Sequence, residues 1–433
     1  MKKLLNLVAV TAITVSAYAQ KALSIDEAWQ YAVDNNVNVQ KAKIDQTIAD
    51  QKVKETIGIG LPQVSAQSRY MNYLKIPVMF VDFQGTGNLM EFPMGQKHNW
   101  NNGITVQQLL FNGSYIVGLE SAKTYKETAA LVEEKTELSI KEGVLMTYAG
   151  ILATDENIKT LEENQKVLEK NLSDTKIIYK TGLTEYQNVE QLEYSSKNLS
   201  TVINNLKRTR TKLLIGLKYM IGYPMDQDLV LTSGFDEILA KNNVLNSNEG
   251  YNFENHIDYR LKKNQLRINE LLLKLEKSKA LPTLASFFSV NANATGQKLD
   301  NLNWNKPVYW GLQLDIPIFS GLQRHWKTEQ AKLNVQKANL DLLDTQKNLQ
   351  NKVGSTSIDY ENALASYNNA KELIDLSESI YKKQQIKFKE GMGTSFELSQ
   401  AESQLYDAQT KYYQAALNLI QAKTKLDEAL GTL

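Results

Sequence analysis

The chain has no cysteine, seven prolines and three histidines in 433 residues. Without cysteine it has no disulfide framework, no thiolate metal site and no lipid-modified cysteine at a processing point. The histidines, His98, His256 and His325, lie far apart on different predicted elements, so no histidine metal centre is expected. HExxH, GxSxG and phosphate-cradling Gly–Lys motifs are missing as well. The sequence therefore predicts no catalytic constellation and no cofactor. With 49 basic and 48 acidic residues, it gives no electrostatic reason to expect a nucleic-acid partner. Beyond the first 20 residues no apolar run reaches the roughly 18 residues that a membrane-spanning helix requires.

The start, "MKKLLNLVAVTAITVSAYAQ", has two lysines, a short apolar run and then small residues. That order reads as a signal peptide over 1–19, cleaved after Ala19, in preference to an unprocessed N-terminal helix. An exported chain without a spanning helix can still enter a membrane as a closed β-barrel.

Strand patterns are present. In "VYWGLQLDIPIFSG", Val308, Trp310, Leu312, Leu314, Ile316 and Ile318 alternate with Tyr309, Gly311, Gln313, Asp315 and Pro317. Period-two alternation marks a strand with one apolar and one polar face. Three further strands are predicted over Val64–Ile76, Lys97–Phe111 and Leu284–Thr295. A soluble sandwich and a membrane barrel both fit alternation. Four strands make a poor sandwich beside some 300 residues of helix, whereas Trp100, Trp304, Tyr309 and Trp310 near strand ends suit the aromatic girdles of a barrel. Four strands cannot close a barrel, which needs about eight. The barrel reading therefore requires several subunits, and alternation alone does not choose between two and three.

The chain is written twice. "YKTGLTEYQNVEQLE" from Tyr179 reappears 209 residues later as "FKEGMGTSFELSQAE" from Phe388, and the same offset carries Gly222 onto Gly431. Upstream, "LLFNG" from Leu109 matches "PIFSG" from Pro317, and "LPQVSAQ" from Leu61 matches "LPTLASF" from Leu281. These matches predict a first repeat over 20–223 (strands about 62–111, helices 112–222) and a second over 252–433 (strands about 282–319, helices 320–431). Residues 224–251 join the two. The first repeat has extra length in Val78–Gln96, a predicted loop in which Met79, Met90 and Met94 read as packing residues rather than soft-metal ligands.

Neither Gly113–Lys180 nor Gly321–Glu390 contains proline, so each predicts one helix, about 100 Å long at 1.5 Å per residue. Leu398, Leu405, Tyr412, Leu419 and Leu426 form a seven-residue column, with Ala401, Ala408, Ala415, Ala422 and Ala429 three residues on. Leu192, Leu199, Leu206, Leu213 and Met220 are the counterpart, beside Val189, Ile203 and Leu217. Strict heptads supercoil neighbouring helices, and a solid coiled coil and a hollow helical tube both satisfy them. Gly182 and Gly391 suit the left-handed residue at a helix end, and Thr184 and Thr394 suit N-caps of the return helices.

Taken together, these duplicated features make the chain resemble the TolC-like outer-membrane efflux factors over essentially all its mature length. The resemblance implies a mainly α fold with a membrane β-barrel, as a homotrimer. Four strands per subunit would form a twelve-stranded barrel, and the helices a twelve-helix periplasmic α-barrel. It implies an outer-membrane exit duct for an efflux or secretion system, not an enzyme, with a periplasmic adaptor (membrane fusion) protein and an inner-membrane transporter as partners. Adaptor docking would fall to Gly182, Leu183 and Thr184 with Gly391, Met392 and Gly393. A gate would involve Glu397, whereas Gln400 departs from the second acidic position, and Gly393 stands where some members carry an arginine latch. The rival reading is a non-conducting coiled-coil stalk with a β head.

Overall fold

A computed structural model describes residues 21–433 apart from 83, 84, 86, 88 and 243–251. The expected signal peptide, 1–19, and the end of the inter-repeat segment lie outside the described residues. In chain order, β1 (Lys21–Leu23), α1 (Ile25–Asn35) and α2 (Val37–Ile59) precede β2 (Gln63–Asn72). A small hairpin, β3 (Val78–Val81) and β4 (Met90–Pro93), is followed by β5 (His98–Asn112), α3 (Gly113–Lys180) and α4 (Tyr186–Ile221). The joining segment holds β6 (Leu229–Leu231) and α5 (Phe235–Asn242). Then come α6 (Ile257–Ser278), β7 (Thr283–Lys298), β8 (Asn301–Asn305), β9 (Val308–Asp315), α7 (Gln323–Lys389) and α8 (Ser395–Leu430). The chain packs as two compact units that alternate along the sequence. One takes the stretches up to residue 42, 133–257 and 347–433, and the other takes 43–132 and 258–346.

The second of these units is built on an antiparallel sheet in the order β2-β5-β7, with β8 and β9 both on the free side of β7. Those two short strands keep one register: Asn293 pairs with Asn305 and Val290 with Val308, and between them the Asn291 N–H donates to the Pro307 carbonyl (2.9 Å). They are one fourth strand interrupted at Pro307, whose nitrogen cannot donate to the ladder.

Several expected boundaries are corrected. The first strand stops at Asn72, not Ile76, as the chain turns toward Pro77, and the fourth stops at Asp315, two residues before Pro317. The loop Val78–Gln96 contains the β3–β4 hairpin. Gly113 and Gly321 match in sequence but not in conformation. Asn112 Oδ1 accepts from the Tyr115 N–H (2.9 Å), so α3 starts directly off β5 at Gly113. Gly321 (φ 60°) and Leu322 (φ 64°) are both left-handed, and α7 starts after them.

The other unit is helical. Its larger core gathers Tyr148, Ile151, Leu217, Ile221, Leu419 and Ile420, and a second core gathers Leu161, Leu168, Leu192, Leu199, Ile203 and Leu398. Leu192, Leu199, Ile203, Leu217, Leu398 and Leu419 among these belong to the predicted heptad columns, whereas Tyr148, Ile151, Leu161 and Leu168 come from α3. Burying such a leucine contributes about 2 kcal/mol. β1 pairs in parallel with β6, which straps the start of the described chain to the joining segment. At the centre the Tyr148 hydroxyl donates to the Leu23 carbonyl (2.9 Å) and accepts from the Thr232 and Ser233 N–H groups (3.1 and 3.0 Å). α4 and α8 both end on left-handed glycines, Gly222 and Gly431.

Candidate functional site

The two faces of the sheet differ in chemistry. Register places Val64, Val106, Phe288 and Trp310 in one row, and Ala66, Ile104, Val290 and Val308 in the next on the same face. Toward the far end that face carries Tyr70, Trp100, Ala294 and Trp304. Two of its rows carry polar groups. In one the Ser68 hydroxyl donates to Asn102 Oδ1 (2.6 Å) and Asn102 Nδ2 donates to the Ala292 carbonyl (3.2 Å); in the other Gln108 and Ser286 lie beside Leu312. Much of this face is exposed, Trp310 to 74 % and Leu312 to 62 %. The opposite face lines a polar hollow with Ser65, Gln67, Arg69, Asn101, Thr105, Asn291 and Asn293. Neither β2 nor the β8–β9 strand has a second neighbour among the described residues, so both sheet edges are open.

The aromatics expected near strand ends divide between these faces. Trp100 and Trp304 meet on the apolar face, centroids 6.5 Å apart, joined by Tyr70, and Trp310 shares that face. Tyr309 does not. It pairs with Ser289 on the polar side, packed edge-on against Phe287 (6.2 Å). Tyr70, absent from the sequence reading, also bonds His98 Nδ1 through its hydroxyl (2.7 Å).

At the helical-hairpin turns the two repeats are brought together. Gly182 (φ 79°) and Gly391 (φ 71°) are left-handed, and the next residues, Leu183 and Met392, donate N–H bonds back to the Ile178 and Lys387 carbonyls (3.2 and 2.8 Å). This backward pairing closes the last turn of each long helix. Leu183 and Met392 point into solvent, 81 % and 74 % exposed. Thr394 caps α8 in a full capping box with Glu397. Thr184, expected to do the same for α4, does not: the cap position is Glu185, without a side-chain bond. The Thr184 hydroxyl instead accepts from Asn188 Nδ2 (2.8 Å), and Asn188 Oδ1 accepts from the Ser395 hydroxyl (2.5 Å), stitching the two turns to each other. Gly393 completes the second turn by donating to the Lys387 carbonyl (3.1 Å).

Glu397 and Gln400 have different surroundings. Glu397 Oε2 accepts from the Thr394 N–H (3.0 Å) and from Gln384 Nε2 on α7 (3.1 Å). Gln400 faces a groove of about 480 Å³ between α4 and α8, with Gln191, Tyr194 and Phe396. On α8 a third seven-residue column is buried beside the leucine and alanine columns: Ser395, Glu402, Gln409, Ala416 and Lys423. Ser395 bonds Asn188, Gln409 Oε1 accepts from Asn164 Nδ2 (2.7 Å), and Lys423 bonds Asp427 (2.5 Å). Glu402, 1 % exposed, has no hydrogen-bond partner for either carboxylate oxygen among the described residues. Burial pushes its carboxyl up to about 7. Sequence reasoning missed Glu402. The signal that could have found it is its place four residues after Leu398, on the flank of the heptad face.

Comparison with known proteins adds a family match over part of the chain and a fold. Residues 273–432 match the outer membrane efflux protein family. No curated protein matches the chain significantly by sequence. Among solved structures, CusC superposes with a TM-score of 0.75 at 12 % identity, covering 94 % of this chain and 91 % of that one. VceC from Vibrio cholerae gives 0.71 at 14 %, covering 94 % and 96 %. The open state of MtrE from Neisseria gonorrhoeae gives 0.71 at 17 %, covering 94 % and 88 %. At these identities the likeness is one of fold.

Proposed function

We propose, from the premise that the second repeat is an outer membrane efflux protein domain on a TolC-like channel fold, that this chain is the exit duct of an efflux or secretion system in the outer membrane. The observation that carries this reading is the exposed apolar face of a sheet with two open edges. From the Leu284–Leu314 row to the Ala294–Trp304 row is ten residues, about 33 Å of strand. Tilted by about 40°, that length spans about 25 Å, the height of the apolar band on a membrane barrel. Open edges in hydrocarbon leave backbone groups unsatisfied. Pairing β2 of one subunit with the β8–β9 strand of the next removes them, and three copies give a twelve-stranded wall with its polar face inward. We read the two repeats, 20–223 and 252–433, as each supplying strands to that wall and a helical hairpin to a periplasmic tunnel.

In this reading the duct is passive and not an enzyme. Its partners are two further copies, a periplasmic adaptor and an inner-membrane transporter. The exposed Leu183 and Met392 at the stitched turns fit the adaptor contact, with Gly182, Thr184, Gly391 and Gly393 shaping the backbone beneath them. The partner acts by binding the open arrangement of the hairpins more tightly than the closed one. Conductance of the purified trimer in planar bilayers tests the function. Discrete pores are expected. A chain that forms no pores and stays a stable monomer in detergent-free buffer would instead be a non-conducting stalk.

A further inference from the structure

The two repeats treat one carboxylate in opposite ways. Glu193 on α4 and Glu402 on α8 are equivalent at the offset of 209. Glu193 is ion-paired with Lys176 on α3 (2.6 Å), and that pairing holds its carboxyl below the usual range. The residue equivalent to Lys176 on α7 is Gln385, which instead reaches toward the Tyr381 hydroxyl (3.5 Å). The second repeat has kept the acid, lost its counter-charge and buried what remains.

The surroundings of Glu402 supply no substitute. Tyr381 on α7 lies within reach of both Glu402 and Asn171 on α3. One turn along α8 the Tyr406 hydroxyl is also buried without a partner. Burial, with Glu402 alongside, raises both phenols, so neither ionises to compete. From α4 the groove presents Gln191, Tyr194, Ser195 and Asn198, which are uncharged at neutral pH, and from α8 it presents Asp407, a further acid. Among the described residues no basic group acts on Glu402. Both its oxygens are sealed from solvent, so a proton is the one ligand the packed arrangement admits.

We propose that Glu402 is a proton-operated release between the two helical hairpins, holding α7–α8 against α3–α4 when neutral and driving them apart when ionised. The sign follows from the raised carboxyl. The closed form binds the proton more tightly than an opened, hydrated one, so closure is fully favoured below the ordinary value of 4.5 and is lost as pH rises through about 7. An unpaired carboxylate left in that core destabilises it, whereas the same carboxylate opposite a lysine, as in the first repeat, does not. The release stands on hairpin packing alone. That it governs the periplasmic end of a duct rests on the function proposed above.

Hydrogen exchange of the full chain in nanodiscs, corrected for the intrinsic pH dependence of exchange, reads hairpin opening directly. Opening of α8 over residues 395–410 is expected to rise on the order of tenfold or more between pH 5.5 and 8, since each pKa unit is a factor of ten. Glu402→Gln removes the dependence by removing the acid, and Gln385→Lys removes it by restoring the counter-charge found in the first repeat. Opening that ignores pH in the unaltered chain, or that keeps its pH dependence in both variants, overturns the proposal. Bilayer conductance on the same samples separates the two readings. pH-dependent exchange without pores sinks the duct and leaves the release, whereas pores with pH-independent exchange do the reverse.

Discussion

At the scale of single residues, stability and function rest on buried polar groups, and partnership decides which. Tyr148 and Glu402 are both inaccessible to water, yet the first serves three backbone groups and the second serves none. Tyr148→Phe keeps the ring and removes the partner of the Ser233 N–H, while the Thr232 N–H keeps its bond to the Leu23 carbonyl (3.1 Å). We expect a loss of about 1–3 kcal/mol, the usual cost of unsatisfied buried polar groups. It should appear as a lower urea midpoint and as faster hydrogen exchange at Ser233; unchanged exchange there would mean that β1 and β6 hold without the hydroxyl. Neither role was legible in the sequence. A tyrosine in an apolar helix reads as core, and one glutamate among 48 acidic residues reads as solvated surface. Only the fold shows which side chains lost water and what replaced it.

Helices were the most legible elements. The 36-residue α4 and α8 fall where the duplication and the heptads put them, because a seven-residue apolar period over five repeats has few other solutions. Their ends were less so. Thr394 caps α8, but at the offset of 209 its counterpart is Glu185, and Thr184, one residue too early to cap, accepts from Asn188 in the first turn of α4 instead. Glu397 now has two roles to separate, as the capping-box acid and as a gate. Glu397→Gln keeps an acceptor for the Thr394 N–H while removing the charge, so helix stability should move by less than about 1 kcal/mol. If three such carboxylates ring the pore, the same variant weakens block by trivalent cations several-fold in bilayer recordings. Equal block in both proteins assigns Glu397 to capping alone. The strands lay between these extremes. Alternation located all four and put Tyr309 on the face opposite Trp310, but it gave no sign that Pro307 would divide the fourth without shifting its register.

At the scale of the whole molecule the governing fact is that, among the described residues, much of the apolar sheet face is exposed and both sheet edges are unpaired. The asymmetry between faces makes a sharp experiment. Val308, opposite Val290, lies near the middle of the apolar rows and Asn293 within the polar ones, on neighbouring strands of the same sheet. A lysine on the lipid side of a barrel costs about 2–4 kcal/mol near the bilayer midplane, and a lumen lysine costs little. In a trimer the lipid-side penalty is incurred three times, because every copy carries the change. Val308→Lys should therefore abolish insertion into lipid vesicles, while Asn293→Lys inserts normally and shifts the ion selectivity of the pore toward anions. Equal insertion of the two would mean that the faces are not divided between oil and water. A failure of Asn293→Lys alone would mean that they are divided the other way, with the polar rows buried at a subunit contact and the apolar rows facing inward.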